Sequence, residues 1–113
     1  MASLQDFSEK ISKVLGVKGY LLLKRDGKIL SQNIRVPDRL SAMVVICALT
    51  AESATTAAGL SRFRCLVLAR GKKEKFLVFP AMQSFLLVIE RPDVYTPDLL
   101  KAIEVVIQGS MPS

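Results

Sequence analysis

The chain has 113 residues, half of them are hydrophobic, and its formal net charge is +6 at pH 7. This length suits one domain, over residues 1–113, and the apolar content argues against a disordered protein. Histidine is absent and only two cysteines occur, so the commonest general base and the usual metal-binding and disulfide patterns are missing.

Nothing in the sequence predicts a membrane segment. The longest apolar run covers residues 42–49, whereas a membrane helix needs roughly 18 apolar residues. The N-terminal stretch MASLQDFSEK acquires charge at once and lacks an apolar signal region. We therefore expect a soluble, cytoplasmic protein without a membrane span, in which Cys47 and Cys65 are buried free thiols and no metal or cofactor is bound.

The N-terminal third predicts a helix and a hairpin. Apolar residues recur at helical spacing from Leu4 to Leu15, and Gly16 fits just past the end of this helix. Two apolar runs then flank Asp26 and Gly27. This pair is a strong hairpin signal because glycine accepts a positive φ without steric cost.

The remaining elements complete the order α-β-β-α-β-β-β-α, which predicts an α+β domain: a five-stranded antiparallel meander with helices packed against it. A long second helix is expected over residues 39–58, with Asp38 as its N-terminal cap and Gly59 as its stop. The later elements are strands over residues 62–69, 76–79 and 85–89, with a short turn after Pro80, and a last helix from Thr96 to near Gly109.

The second helix carries apolar residues on more than one side. A helical wheel turns a wide apolar arc toward the sheet and leaves a polar arc outside. The outer arc also holds Ala42, Val45 and Leu49 at i, i+3 and i+7. Scattered exposed apolar residues are ordinary, and another element of the domain could cover these three. The pattern favours the other interpretation, that this ridge meets a second protein chain.

The sequence argues against catalysis. Without histidine, a nucleophile–base pair needs a lysine or a carboxylate as the base. The carboxylates fall mostly at caps, turns and polar faces, and none stands beside another in an apolar stretch, where a catalytic pair is usually tuned. Neither glycine-rich phosphate-binding motif is present. We expect no catalytic residues.

Basic residues near two turns offer an alternative function. If both turns lie at the same end of the sheet, they form one patch that could bind nucleic acid or anionic lipid headgroups. Sheet-based RNA readers place aromatic residues on an open face, whereas the phenylalanines here lie in apolar runs typical of core strands. A solvated charged hairpin is therefore the favoured interpretation, and nucleic acid is disfavoured as a partner. The residues concerned are Lys24, Arg25, Lys28, Arg70, Lys72, Lys73 and Lys75.

Three stretches resemble the roadblock domain, the small fold named for a dynein light chain and related to the longin domain. The stretch GYLLLKRDGKILSQN resembles the first hairpin of the family, and RLSAMVVICALTAESATTAAGL resembles its Ala-rich central helix. The stretch KEKFLVFPAMQSFLLVIE resembles a strand that ends in a small turn and re-enters as a very apolar strand. The resemblance covers nearly the whole chain and implies a roadblock/longin-like (profilin-like) α/β/α sandwich.

The resemblance also implies a function. Family members are non-catalytic platforms that bind Ras-like or Rag-like small GTPases or tether dynein cargo. They form homodimers or heterodimers in which the central helices lie side by side and the following strand pairs with its mate. The implied partners are thus a second copy and a small GTPase, which Arg35 and Arg39 could contact. The implied dimer interface is Ala42, Val45, Leu49, Ser53 and Thr56 on the helix and Arg64, Cys65, Leu66, Val67 and Leu68 on the strand.

Overall fold

The computed structural model describes residues 4–61, 63–71, 74–81 and 83–110. Within these ranges, helices and strands follow each other in the predicted order α-β-β-α-β-β-β-α. They are α1 (Leu4–Ser12), β1 (Val17–Lys24), β2 (Ile29–Gln32), α2 (Asp38–Ala57), β3 (Leu66–Arg70), β4 (Glu74–Ala81), β5 (Ser84–Glu90) and α3 (Thr96–Ser110).

The strands form one antiparallel sheet in the order β2-β1-β5-β4-β3. The predicted α+β class and the five-stranded antiparallel sheet are confirmed, but the sheet is not a simple meander. A helix of 20 residues such as α2 is roughly 30 Å long, so it can carry the chain from β2 at one edge to β3 at the other. β5 then returns to the centre, where Leu22 lies opposite Leu86.

Two apolar cores lie on the two faces of the sheet. Because side chains of a strand alternate between faces, the central strands contribute to both cores. Leu22 and Leu86 pack under α1 and α3, whereas Leu21 and Leu87 pack under α2. The predicted α/β/α sandwich is therefore confirmed, with two helices on one face and α2 alone on the other.

The predicted hairpin lies where expected. Gly27 has a φ of +94°, its N–H donates to the Lys24 carbonyl at 2.9 Å, and the Asp26 carboxylate accepts from the Lys28 N–H at 3.0 Å. The predicted cap of α2 was wrong: Pro37 occupies that position without a side-chain hydrogen bond, and Asp38 lies in the first turn. A carboxylate there still interacts favourably with the helix dipole.

The prediction that the strand ends before a turn at Pro80 was also wrong, because Pro80 lies inside β4 and pairs with Phe85. β3 begins at Leu66, which lies opposite Val78. The part of β4 beyond Val78 therefore has no β3 residue beside it, and proline is tolerated where a strand becomes an edge. The predicted start of the third strand at Arg62 falls outside the described residues.

Candidate interaction surface

The helix α2 rests on the sheet through a face that only partly matches the predicted one. Val44 and Ala48 are fully buried, Val45 is only 5% exposed and Ser41 only 4%. Leu49 is half-buried against the same core. The prediction that Val45 and Leu49 form an outward ridge was therefore wrong.

The length and the apolar composition of α2 would also allow this helix to cross a membrane. The core helix of a soluble protein can meet the same criteria of length and composition.

The physical reason for the orientation of α2 is that small or β-branched side chains occupy the sheet-facing side. Ser41, Val44 and Ala48 recur at i, i+3 and i+7, which lets the helix approach the sheet closely. The larger Met43 and Ile46 then point outward and are 55% and 63% exposed. Apolar residues surround the helix on nearly every side, so their period alone could not select the buried face.

The outward side of α2 carries no charge over four turns. The single charged residue between positions 40 and 57 is Glu52, which is half-buried and forms an ion pair with Arg25. Large apolar side chains exposed beside small ones form a surface that water does not favour. We call the exposed residues of this stretch the α2 outer face: Ala42, Met43, Ile46, Thr50, Ser53, Ala54, Thr56 and Ala57.

The strand β3 provides a second unpartnered feature. It lies at an edge of the sheet and, within the described residues, pairs with β4 alone. Val67 is 49% exposed, whereas Leu66 and Leu68 pack half-buried against the core under α2. An edge strand presents unpaired backbone N–H and C=O groups, which makes it a template for pairing with another chain.

Two residues of the predicted interface strand, Arg64 and Cys65, precede β3 rather than belong to it. The Arg64 Nε donates to the Glu104 Oε2 of α3 at 2.7 Å, and this hydrogen bond raises the pKa of Arg64 above its ordinary value. Burial raises the pKa of the half-buried Cys65 thiol to about 12. A thiol with such a pKa is protonated at neutral pH and is a poor nucleophile.

Solved structures of other proteins share this fold. A Roadblock/LC7 domain from Streptomyces avermitilis matches with a TM-score of 0.75 and 18% identity, covering 90% of this chain and 88% of that chain. MglB from Myxococcus xanthus matches with a TM-score of 0.79 and 11% identity, covering 94% and 92%. This chain has the roadblock fold. Profilin IB from Acanthamoeba castellanii matches with a TM-score of 0.69 and 12% identity, covering 95% of each chain.

The predicted roadblock resemblance is thus confirmed at the level of the fold. No protein-family model matches the sequence, and no curated protein matches it. Among the described residues of this roadblock fold, the α2 outer face and the β3 edge are two unpartnered surfaces.

Arg35 and Arg39 lie at the start of α2, one in the loop after β2 and the other in the first helical turn. Both are exposed, and neither makes a side-chain hydrogen bond or ion pair with a residue of the described ranges. These two predicted partner-binding residues are therefore available to another protein.

The two basic turns lie at opposite ends of the sheet. Lys24, at the β1–β2 turn, is opposite Ser84, where β5 begins. Lys75, beside the β3–β4 turn, is opposite Glu90, where β5 ends. The condition for a single basic patch is therefore not met by Lys24 and Lys75. The other predicted members of that patch beside the second turn, Lys72, Lys73 and the side chain of Arg70, lie outside the described residues.

Arg25 is also less available than predicted, because Glu52 binds its guanidinium and the group lies over the Phe85 ring, 5.4 Å from the ring centroid. The hydrogen bond to Glu52 raises the pKa of Arg25 above its ordinary value. Lys24 and Lys28 remain exposed on either side of the turn. Both therefore lie at the solvent-exposed end of the hairpin.

The sequence did not predict that one carboxylate, that of Glu90, is buried. Glu90 ends the apolar strand β5 and is only 4% exposed, and its Oε1 accepts a hydrogen bond from the Thr96 hydroxyl at 2.6 Å. The Lys75 Nζ lies 3.5 Å from the same hydroxyl. These contacts join the end of the sheet to the start of α3, so we assign Glu90 a structural role. No group of three or more metal-ligating side chains occurs among the residues described.

Proposed function

We propose that this chain is a single roadblock-family domain over residues 1–113 that acts in the cytoplasm as a non-catalytic, dimeric platform for a small Ras-like GTPase. The observation that carries the proposal is the α2 outer face, on which Met43 and Ile46 are exposed without a charged neighbour on the same face. Tethering of dynein-type cargo is the other role that the family resemblance implies.

The geometry supports a twofold contact through α2 and β3. In a twofold dimer the same patch meets itself, so two β3 edges can pair and extend the sheet from one copy into the other. The half-buried Leu66 and Leu68 lie on the side of β3 that faces α2, so this pairing also brings the two helices together. MglB, which shares this fold, has been solved in a tetrameric arrangement.

The proposed interface differs from the one that the resemblance implied. Val45 belongs to the core and is removed. Leu49, which packs half-buried against that core, and Arg64 and Cys65, which precede β3, are also removed. Met43 and Ile46 are added. Ala42 and Ser53 remain because both are exposed. Small side chains such as these allow two helices to approach each other closely. The proposed interface consists of Ala42, Met43, Ile46, Ser53 and Thr56 on α2 and Leu66, Val67 and Leu68 on β3.

A GTPase partner is supported by the family resemblance and by the exposed Arg35 and Arg39. Cationic side chains on a rim accelerate association with an acidic partner surface. An arginine supplied in trans can also stabilise the charge that develops during phosphoryl transfer. We expect Arg35 and Arg39 to contribute to binding rather than to dimerisation, because they precede the outer face.

A direct test uses each small Ras-like GTPase of the source organism, purified and loaded with GDP or with a non-hydrolysable GTP analogue. We expect one of them to bind the chain in calorimetry, and the double variant Arg35→Glu, Arg39→Glu to weaken this binding at least about tenfold, or 1.4 kcal/mol. Lys24→Glu, at the other end of the sheet, is the matched charge-reversal control. If no GTPase binds in either nucleotide state, the proposed partner is wrong even where the dimer is confirmed.

A further inference from the structure

A cleft of ≈ 260 Å³ lies at the edge of the sheet, between the end of β4, the residues that precede β3 and the C-terminal half of α3. The register of the sheet explains it. β3 begins opposite Val78, so the space beside Phe79 and Pro80 is not filled by a strand. The cleft is lined by Phe63, Arg64, Phe79, Pro80, Glu104, Ile107 and Gln108.

The floor of the cleft is apolar, and its residues belong to the two cores of the domain. Phe79 and Ile107 belong to the core under α1 and α3. Phe63 belongs to the opposite core, where its ring stacks on Phe85 with centroids 6.5 Å apart. The shape of this floor is therefore set by both cores. Ligand sites commonly combine such an apolar floor with a few polar groups at the mouth, and a cleft of this volume suits a ligand smaller than a drug-sized molecule.

The polar groups at the mouth are an arginine, a carboxylate and an amide. Only the Nε of Arg64 is used, since it donates to Glu104 Oε2 at 2.7 Å. Within the described part of the chain, the two Nη groups of Arg64 have no hydrogen-bond partner. A guanidinium has five N–H donors in a planar fork that matches a carboxylate. The side chain of Gln108 adds an amide donor at the same mouth.

We propose that this cleft binds a small apolar monocarboxylate, an aromatic or branched-chain acid whose hydrocarbon part packs on Phe79 and Ile107 and whose carboxylate binds the Nη groups of Arg64. Glu104 balances the single positive charge of Arg64, so the mouth has no net positive charge to hold a doubly charged phosphate. A cationic ligand is also disfavoured, because the carboxylate of Glu104 is bound by Arg64. The site lies apart from the α2 outer face, so the proposal does not depend on the GTPase.

The experiment titrates the full chain with sodium phenylacetate and sodium 4-methylpentanoate and follows backbone amide resonances by two-dimensional NMR. We expect saturable shifts confined to residues around 63–64, 79–80 and 107–108. The neutral phenylacetamide should bind at least about tenfold more weakly, the size of one charge-assisted hydrogen bond. These two ligands have nearly the same shape, so their difference reports recognition of the charge.

Three variants test the assigned residues, and the amide spectrum of each shows whether it folds. Arg64→Gln should weaken phenylacetate binding at least about tenfold. Glu104→Gln should strengthen it, because a competing carboxylate is removed and the Nε donor is released. Lys101→Gln, an exposed position on the same helix, removes one positive charge outside the cleft and should leave binding unchanged.

Three results would each overturn the proposal. One is the absence of saturable shifts up to the solubility limit of both acids. Another is equal binding of phenylacetamide and phenylacetate, which would leave an apolar cleft without carboxylate recognition. The third is stronger binding of 2-phenylethylamine that is lost in Glu104→Gln, which would make Glu104, rather than Arg64, the recognition group.

Discussion

Arg25 on the β1–β2 turn and Glu52 on α2 form a two-point ion pair, with Nη1 2.9 Å from Oε2 and Nη2 2.5 Å from Oε1. The guanidinium also covers the ring of Phe85. This contact joins the hairpin to the C-terminal half of α2 and holds Glu52 toward the sheet. We therefore expect it to favour the observed orientation of α2.

The geometry of this pair predicts that lysine cannot replace Arg25. An ammonium keeps the charge but loses the planar fork and the stacking on the ring. We expect Arg25→Lys to lower the midpoint of thermal unfolding nearly as much as Arg25→Ala, and Lys24→Ala, at an exposed neighbouring position, to leave it unchanged. Circular dichroism at a fixed protein concentration provides the measurement.

A double-mutant cycle then tests whether Arg25 and Glu52 act on each other. The variant that combines Arg25→Ala with Glu52→Ala should lose less stability than the sum of the two single losses, because both single losses include the shared ion pair. Additive losses of stability would show that the two residues contribute independently and that the ion pair does not position α2.

The orientation of α2 predicts opposite results for two adjacent residues. Val45→Glu places a carboxylate in the core, at a cost of several kcal/mol, a large part of the stability of a small domain. We expect this variant to lose cooperative unfolding. Ile46→Glu places the same group in solvent, so we expect the variant to remain folded, as judged by near-ultraviolet circular dichroism and urea unfolding. A cooperatively folded Val45→Glu protein would contradict the orientation described here.

The same pair of residues shows what the sequence could not determine. Val45 and Ile46 are both β-branched and apolar, and apolar residues flank each of them. The helical period is therefore satisfied by more than one buried face. The choice depends on tertiary contacts: the small side chains of Ser41 and Ala48 against the sheet and the ion pair of Glu52. A helical wheel of α2 alone contains no information about these contacts.

Other elements were predictable because their signals are local. The hairpin follows from Asp26 and Gly27, since the positive φ of Gly27 depends on its own stereochemistry. The sheet order was not predictable in this way, because the pairing of β1 with β5 joins residues such as Leu21 and Leu87, which are distant in the chain. The cleft beside Pro80 escaped prediction for the same reason, since it results from the register of β3 on β4.

Cys65 predicts a loss of stability at alkaline pH. Burial raises the pKa of its thiol to about 12, whereas an unfolded cysteine has a pKa of about 8.5. The folded state holds this proton more tightly than the unfolded state. The contribution of the Cys65 thiol to the free energy of unfolding is therefore complete below about pH 8.5 and is lost as the pH rises toward 12. Urea unfolding of the parent and of Cys65→Ala should show a smaller decline for the variant between pH 8 and pH 10. Equal declines would show that Cys65 is not the group responsible.

Gly19 predicts a steric effect in β1. A Cβ at this position would lie 2.9 Å from the Cβ and Cγ2 of Ile34, atoms close to the backbone of the loop before α2. Gly19→Ala should therefore reduce the free energy of unfolding by about 1–3 kcal/mol. Gly109→Ala is the matched control, because a Cβ there meets nothing within 4 Å; it should be neutral or stabilising by up to about 1 kcal/mol. Equal effects of the two substitutions would contradict the packing of Ile34 on β1.

The most direct measurement for the dimeric platform is the mass of the protein in solution, by multi-angle light scattering over a wide range of concentrations. We expect the parent chain to have twice the chain mass, Ile46→Glu to be a folded monomer, and Leu15→Glu, an exposed position outside α2 and β3, to remain a dimer. A monomeric parent at every concentration, or a folded Ile46→Glu protein that remains dimeric, would show that the α2 outer face is not the interface.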